Sequence, residues 1–363
     1  MISKFSIISL LVSWVIFIGC THTKEKNEQQ LLLGVKIYDY DGDFKSLFAS
    51  WEEIGINTVF ASVDLLSNSQ FKQLSIENNI KTFVILPIFY APEETTKDST
   101  VYAITNEGKY AEDEWVKFAC PSHKEFRQSR INFIREFVKT HNPDVLSLDF
   151  IRHFAFWEKI YPNTPIDSIP NTCFDQRCVN AFYKNQNINV DVNVKTPAQI
   201  YQWIRSNYWE EWIKWKCDLI TSMVNEIVNA AKEVDPEIEI NLHAVPWRER
   251  DFNGSILKII GQDFSSLSKH LNYISPMTYA HMVKQDSDWI SSVVSEIFQK
   301  TNLKVLPSIQ VDKAYLDSEL TNDEFEKNLK AALKSPSTGV IIWNWNKLVA
   351  NKEKLELFKS FTQ

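Results

Sequence analysis

From Leu32 onward, short runs of β-branched and aromatic residues alternate with longer segments in which apolar residues recur every three or four positions. The short runs predict strands over Leu32–Tyr40, Asn57–Val63, Lys81–Tyr90, Val145–Arg152, Glu239–Trp247, Tyr273–His281, Lys304–Asp312 and Gly339–Asn346. Between them the longer period predicts helices near 43–54, 67–79, 123–141, 206–234, 255–270, 286–300 and 321–334, with a last one around 352–361. Phe126, Arg130, Phe133, Ile134 and Phe137 share one helical face, as do Leu219, Met223, Ile227 and Ala230. Thr321 and Ser122 supply N-cap chemistry, and Pro143 and Pro236 end helices just before strands. Eight strand–helix units in succession predict an α/β fold of the (β/α)8 TIM-barrel type over residues 31–363. The competing doubly wound sheet usually has fewer strands and a glycine-rich first turn, which this chain lacks.

Two connections are long. More than fifty residues, Arg152 to about Arg205, follow the fourth strand, and residues 91–121 follow the third. The longer one holds Pro162, Pro165, Pro170, Pro197, Cys173 and Cys178. Loops of this length are commonly functional, and in a barrel both lie on the C-terminal rim, so both are expected to wall a cleft.

Strand alternation sorts the residues that reach that rim. In the fourth strand Leu146, Leu148 and Phe150 face the helices, while Ser147 and Asp149 face the axis. A carboxylate there is costly unless paired or used, and Asp149 is the leading catalytic candidate; its structural alternative is a pair with Arg152 or Lys36. Glu249, with Asp251 behind it, follows the fifth strand, and Asp312 ends the seventh; each is a candidate second carboxylate, and Glu249 has the alternative of a solvated pair with Arg248 or Arg250. Lys36 and Tyr38, Asn241 and His243, Met277 and Tyr279, and Ser308 and Gln310 share the inward parity of their strands. Arg152, Trp247, Trp343 and Trp345 stand at strand mouths, where indoles suit the C–H faces of sugars. Lys36, Tyr38, Arg152, His243, Trp247, Tyr279, Gln310, Trp343 and Trp345 are therefore the candidate substrate-binding residues.

Composition narrows the chemistry. The 363 residues are 44% hydrophobic and 23% charged, which excludes wholesale disorder. A net charge of −7 without a dense basic run argues against nucleic acid as a partner. None of the eight glycines forms a phosphate-binding loop, and no GxSxG or HExxH occurs, so no cofactor is expected. Carboxylates, amides and 12 Trp, 12 Tyr and 23 Phe remain. Glycoside hydrolysis needs little more: one carboxyl protonates the leaving oxygen while another attacks the anomeric carbon or activates water. The alternatives are a non-catalytic glycan-binding barrel and a metal-dependent hydrolase or deacetylase with His243, Asp149, Asp312 and His281 as ligands.

At the N-terminus, Lys4 precedes an apolar run too short to span a bilayer comfortably, ending in Phe17-Ile18-Gly19-Cys20. Residues 1–19 read as a signal peptide, Cys20 as the acylated first residue of a lipoprotein, and residues 20–30 as a tether, which predicts a lipid anchor to a bacterial envelope membrane, the outer one first. The alternative is ordinary secretion. Cys173 and Cys178 are close enough in sequence to form a disulfide clip, with free thiols as the alternative; no CxxC is present, so a zinc ribbon is not expected.

Asp144-Val-Leu-Ser-Leu-Asp149-Phe-Ile-Arg152 resembles the strand-four D-x-x-R signature of glycoside-hydrolase-like barrel families of bacterial envelope lipoproteins. Tyr273-Ile-Ser-Pro-Met-Thr-Tyr279 resembles their strand-six element, and Val245-Pro-Trp-Arg248 to Gly261-Gln-Asp263 is similar to a stretch of the same group. The resemblance spans roughly residues 32–350 and implies Asp149 as the central carboxylate with Arg152 as its neighbour. The strand-four acidic run of chitinases, D-x-x-D-x-D-x-E, is not reproduced, and the resemblance leaves the second carboxylate unassigned.

Overall fold

Nine strands build one parallel sheet: β1 (Leu32–Ile37), β2 (Thr58–Ala61), β3 (Lys81–Pro87), β4 (Val145–Asp149), β5 (Glu239–Ala244), β6 (Tyr273–Pro276), β7 (Lys304–Val305), β8 (Ser308–Gln310) and β9 (Gly339–Trp343). Their order is β8-β9-β1-β2-β3-β4-β5-β6-β7. The two end strands are consecutive in the chain, and Met277, just past β6, bridges in parallel to Ser308 of β8. The sheet therefore curls back on itself as a TIM-barrel-like α/β fold. The computed structural model describes residues 30–188 and 196–362. The expected signal segment, the anchor Cys20 and all but the last residue of the tether lie outside the described residues.

Every expected strand segment contains an observed strand. Lys304–Asp312 contains two, because Pro307 has no N–H to give the ladder. At the start of β9, Gly339 has φ +150°, and a Cβ there would lie 1.9 Å from the Leu32 carbonyl oxygen, so only glycine admits the β1–β9 pairing. Helices cover the outer face, among them Phe44–Ile54, Ser69–Glu77, Lys124–His141, Trp209–Lys232, Ser287–Thr301 and Asn322–Ala332. Asp43, Asn68 and Thr321 cap three of them through side-chain oxygens. The helix expected over 255–270 is instead three short pieces, Ile256–Ile260, Phe264–Leu267 and Ser268–His270. Gly261 at φ +75° ends the first and Asp263 caps the second, so helical spacing in sequence ran across two boundaries.

Alternation fills the inside of the curl in layers. At the bottom, Lys81 pairs with Glu239, and Lys81 and Lys304 both donate to the Tyr273 hydroxyl at 3.0 and 3.2 Å. Above them Phe60 stacks on Phe83, centroids 4.3 Å apart. Next, Asn241 donates to Ser147 at 2.7 Å and accepts from Ser275 at 2.9 Å, so three buried polar side chains satisfy one another. His243 lies flat on Phe60 at 5.5 Å, and above this plug the interior opens.

Candidate active site

The opening at the strand C-termini is a cavity of about 610 Å3. Lys36 and Tyr38 of the first strand and its mouth, Asp149, Phe150 and Arg152 of the fourth, Met277 and Tyr279 of the sixth and Trp343 of the ninth line it. The long loops contribute Trp115, Trp157 and Glu158, and Tyr315 comes from the segment after β8.

Asp149 is the last residue of β4, and its backbone then turns sharply. Phe150 takes φ +49°, an unfavourable conformation for a residue with a Cβ. Its N–H donates to Asp149 Oδ1 at 2.8 Å, and its ring packs on Tyr90 at 5.0 Å and Phe118 at 5.8 Å, which holds the turn in place. Asp149 Oδ2 lies 3.1 Å from His243 Nδ1. That approach is off-axis for a hydrogen bond, so neither ring nitrogen of His243 has an aligned partner. Burial alone would raise the Asp149 carboxyl, but His243, Lys36 and the Phe150 N–H hold it below its ordinary 3.8. Burial, reinforced by Lys36, keeps His243 below its ordinary 6.5 against the pull of Asp149. The imidazole is therefore neutral at pH 7, and the carboxylate's standing positive neighbour is Lys36. Lys36 is lowered by burial to about 8, with Asp149 opposing, and its Nζ donates to the Tyr279 hydroxyl at 3.1 Å.

Glu158 sits in the single turn Trp157–Lys159 of the long loop. Its Oε2 is buried without a hydrogen-bond partner. Burial raises its carboxyl from 4.5 to about 7; Arg152 opposes this and Asp149 adds to it. Arg152 is itself held in the cavity wall, stacked on Phe118 at 4.8 Å and Phe150 at 5.4 Å and donating to the Ala155 carbonyl at 2.8 Å. One cavity thus carries two carboxyls displaced in opposite directions, one kept ionised and one still about half-protonated at neutrality.

The walls are aromatic. Tyr279 stacks between Trp343 at 4.6 Å and Trp157 at 6.1 Å. At the mouth, Trp115 Nε1 donates to the Tyr315 hydroxyl at 3.1 Å, and both rings remain exposed. Loops far apart in sequence therefore meet across the entrance.

Of the residues singled out in the sequence, Lys36, Tyr38, Asp149, Arg152, Tyr279 and Trp343 line this cavity, and His243 touches Asp149 from beneath. Met277, inward by parity, lines it too, and the remaining candidate site residues do not. Glu249 faces outward, ion-paired to Lys300, and Asp312 pairs with Lys347 at 3.1 Å, so neither is placed to be the second carboxylate. Gln310 is buried, accepting from Met282 N–H at 2.8 Å and donating to the Asp312 carbonyl at 2.9 Å. Trp247 packs on Phe252 at 4.9 Å beside a separate small crevice. Trp345 starts the helix Trp345–Ala350 and packs edge-on against Trp51 at 5.9 Å. His281 pairs with Glu324 at 3.0 Å, so the four ligands of the metal-hydrolase reading do not converge. All of these misplacements except that of Gln310, which is the last residue of β8, share a cause. β5, β6, β8 and β9 stop before Trp247, His281, Asp312 and Trp345, and period-two alternation has no force beyond a strand's end.

No family model and no curated protein matches the chain. Among solved structures, the fold is similar to glycoside-hydrolase barrels. The PgaB (BpsB) glycoside hydrolase domain from Bordetella bronchiseptica superposes with TM-score 0.69 at 11% identity, covering 92% of this chain and 99% of that one. The β-galactosidases of Marinomonas ef1 and of Bacillus circulans sp. alkalophilus give TM-scores of 0.67 and 0.64 at 9% and 10% identity, each covering 91% of this chain. The chain spans 59% and 56% of those two proteins. At such identities the likeness is one of fold.

Proposed function

We propose that the protein is a glycoside hydrolase in which Asp149 and Glu158 are the two working carboxyls. The observation that carries this reading is their shared cavity with oppositely displaced protonation. Glu158, in the fraction that carries a proton near pH 7, donates it to the glycosidic oxygen as the bond to the anomeric carbon breaks. Asp149, ionised, attacks that carbon or takes the proton of the water that does. His243 and Lys36 hold the Asp149 carboxyl down, and Arg152 tempers the rise of Glu158. Trp343, Tyr279, Trp115 and Tyr315 offer flat apolar faces to sugar rings, with the Tyr38 hydroxyl for orientation. The closed eightfold barrel and a carbohydrate substrate belong to the same reading, which the fold likeness to glycoside hydrolases supports.

Digestion of a broad panel of oligo- and polysaccharides, with products identified by NMR, tests this. Turnover of at least one glycan that Asp149→Asn abolishes is the expected result. Binding of glycans by the wild type without turnover of any would replace the proposal with a lectin-like role for the same aromatic cavity.

The proposal extends to location: a lipoprotein of the bacterial envelope, anchored by an acylated Cys20. The Gly19-Cys20 sequence supports it, and among the described residues no helix is long and apolar enough to cross a membrane. Metabolic labelling with an alkyne fatty acid should mark the wild type and not Cys20→Ala; equal labelling of both would reject the anchor.

A further inference from the structure

Away from the cavity, three cysteines and an aspartate meet at one buried point. Cys120 closes the long segment after β3, just ahead of the helix Lys124–His141. Cys173 and Cys178 flank the start of the helix Gln176–Asn185, and Asp175 is its N-cap. The three sulfurs and an Asp175 oxygen all lie within 4.8 Å of one another. Cys120 Sγ is 3.1 Å from Cys178 Sγ and 3.5 Å from Cys173 Sγ, and Cys173 Sγ is 3.3 Å from Asp175 Oδ2. All three cysteines are fully buried.

Sulfurs and a carboxylate oxygen facing a common centre are what a tetrahedral metal ion requires. With Zn–S of about 2.3 Å and Zn–O of about 2.1 Å, the edges of such a site are about 3.5–3.8 Å. To admit the ion, Cys120 and Cys178 must spread by about 0.7 Å and Cys120 and Cys173 by about 0.3 Å, from separations of 3.1 and 3.5 Å. The surroundings suit anionic ligands. The Ile104 N–H donates to Cys173 Sγ at 3.2 Å, and the Ser122 hydroxyl lies 2.9 Å from Cys178 Sγ and 3.1 Å from Cys120 Sγ. The helix that begins at Gln176 points its N-terminal N–H groups toward the cluster, with the Cys178 N–H bonded to Asp175 Oδ1 at 2.8 Å. A disulfide satisfies the arrangement less well: joining any two of the thiols leaves the third buried against a carboxylate.

We propose that Cys120, Cys173, Cys178 and Asp175 form a closed, structural zinc site that ties the loop after β3 to the loop after β4. With four protein ligands, of which the three cysteines are fully buried and Asp175 is half-buried, it is a site for holding, not for catalysis. It lies between the two segments that reach the cavity: one carries Trp115 and the other Glu158 there.

The full chain, purified under reducing conditions, tests it by metal analysis and by Co2+ substitution. The expected result is one Zn2+ per chain, with bound Co2+ showing thiolate-to-cobalt charge-transfer absorption and tetrahedral d–d bands. Cys178→Ser should lose the cobalt spectrum. To separate loss of the ligand from loss of the fold, Asp175→Asn serves as the second: asparagine caps helices as well as aspartate does, yet is a far poorer ligand. Zinc affinity in Asp175→Asn should drop by at least the roughly 10–100-fold that follows loss of a group merely supporting a ligand. Cys217→Ser, altering a buried cysteine outside the cluster, should bind zinc as the wild type does. Absence of zinc after loading, or a thiol count showing two of the three cysteines joined in the native protein, would overturn the proposal.

Discussion

Replacing Glu158 by glutamine should make the protein more stable at pH 8 while leaving its stability near pH 5 almost unchanged. The carboxyl is raised from 4.5 to about 7 because Oε2 is buried without a hydrogen-bond partner and Arg152 only partly offsets that burial. Between those two values the folded protein keeps a proton that the unfolded chain has released. Stability is therefore fully present below pH 4.5, declines as the pH rises, and levels off above about 7. At about 1.4 kcal/mol per pH unit, ionising Glu158 costs the folded state about 3 kcal/mol above neutrality, of which about 2–3 kcal/mol develops between pH 5 and pH 8. The neutral amide of Glu158→Gln has no such dependence. Urea denaturation of both proteins at pH 5 and pH 8, at one ionic strength and with matching m-values, measures the difference directly. It needs no substrate. If wild type and variant follow the same pH dependence, Glu158 is an ordinary solvated carboxylate, and its role as the proton-holding member of the pair fails with it.

Other substitutions probe the remaining parts. Asp149→Asn should lower kcat by about 10²–10⁴-fold with little change in Tm, measured on whichever glycan the wild type cleaves. Lys36→Met removes one of the groups that, with His243, hold the Asp149 carboxyl down, so the acidic limb of the kcat/KM profile should move to higher pH; a fixed limb would mean that Lys36 does not contribute to the ionisation of Asp149. Trp343→Ala, which removes one face of the aromatic wall, should raise KM by about tenfold, equivalent to about 1.4 kcal/mol of ring contact, and leave kcat less affected. Phe60→Ala hollows the layer beneath His243 and should cost about 3–5 kcal/mol of stability in denaturant titration.

The pattern along the chain predicts the strands well because most of their residues are buried between the interior and the helices, which enforces β-branched and aromatic runs of fixed length. Within strands it also predicts which side chains face inward: Ser147, Asn241 and Ser275 meet as alternation requires. Past the strand ends that guidance is lost. Asp149 is the last residue of β4, so its direction was legible, whereas Asp312 follows the end of β8 and turns to Lys347. Glu158 carried no periodic signal at all. It lies on a single helical turn inside an irregular loop, and its character comes from burial contributed by segments distant in sequence. The only hint was the length of that loop. The cysteine cluster escaped for a related reason: Cys120 and Cys173 are far apart in the chain, and only folding of the two rim loops brings them together.

The division of labour between the two carboxyls is tested most directly with aryl glycosides whose leaving groups differ in acidity. Once the sugar is known, Glu158→Gln should act on a dinitrophenyl glycoside with close to the wild-type kcat/KM, because that leaving group departs without a proton, and should fail on the unactivated glycan. Asp149→Asn should fail on both. Full activity of Glu158→Gln on the natural glycan, or of Asp149→Asn on either substrate, would contradict the assignment.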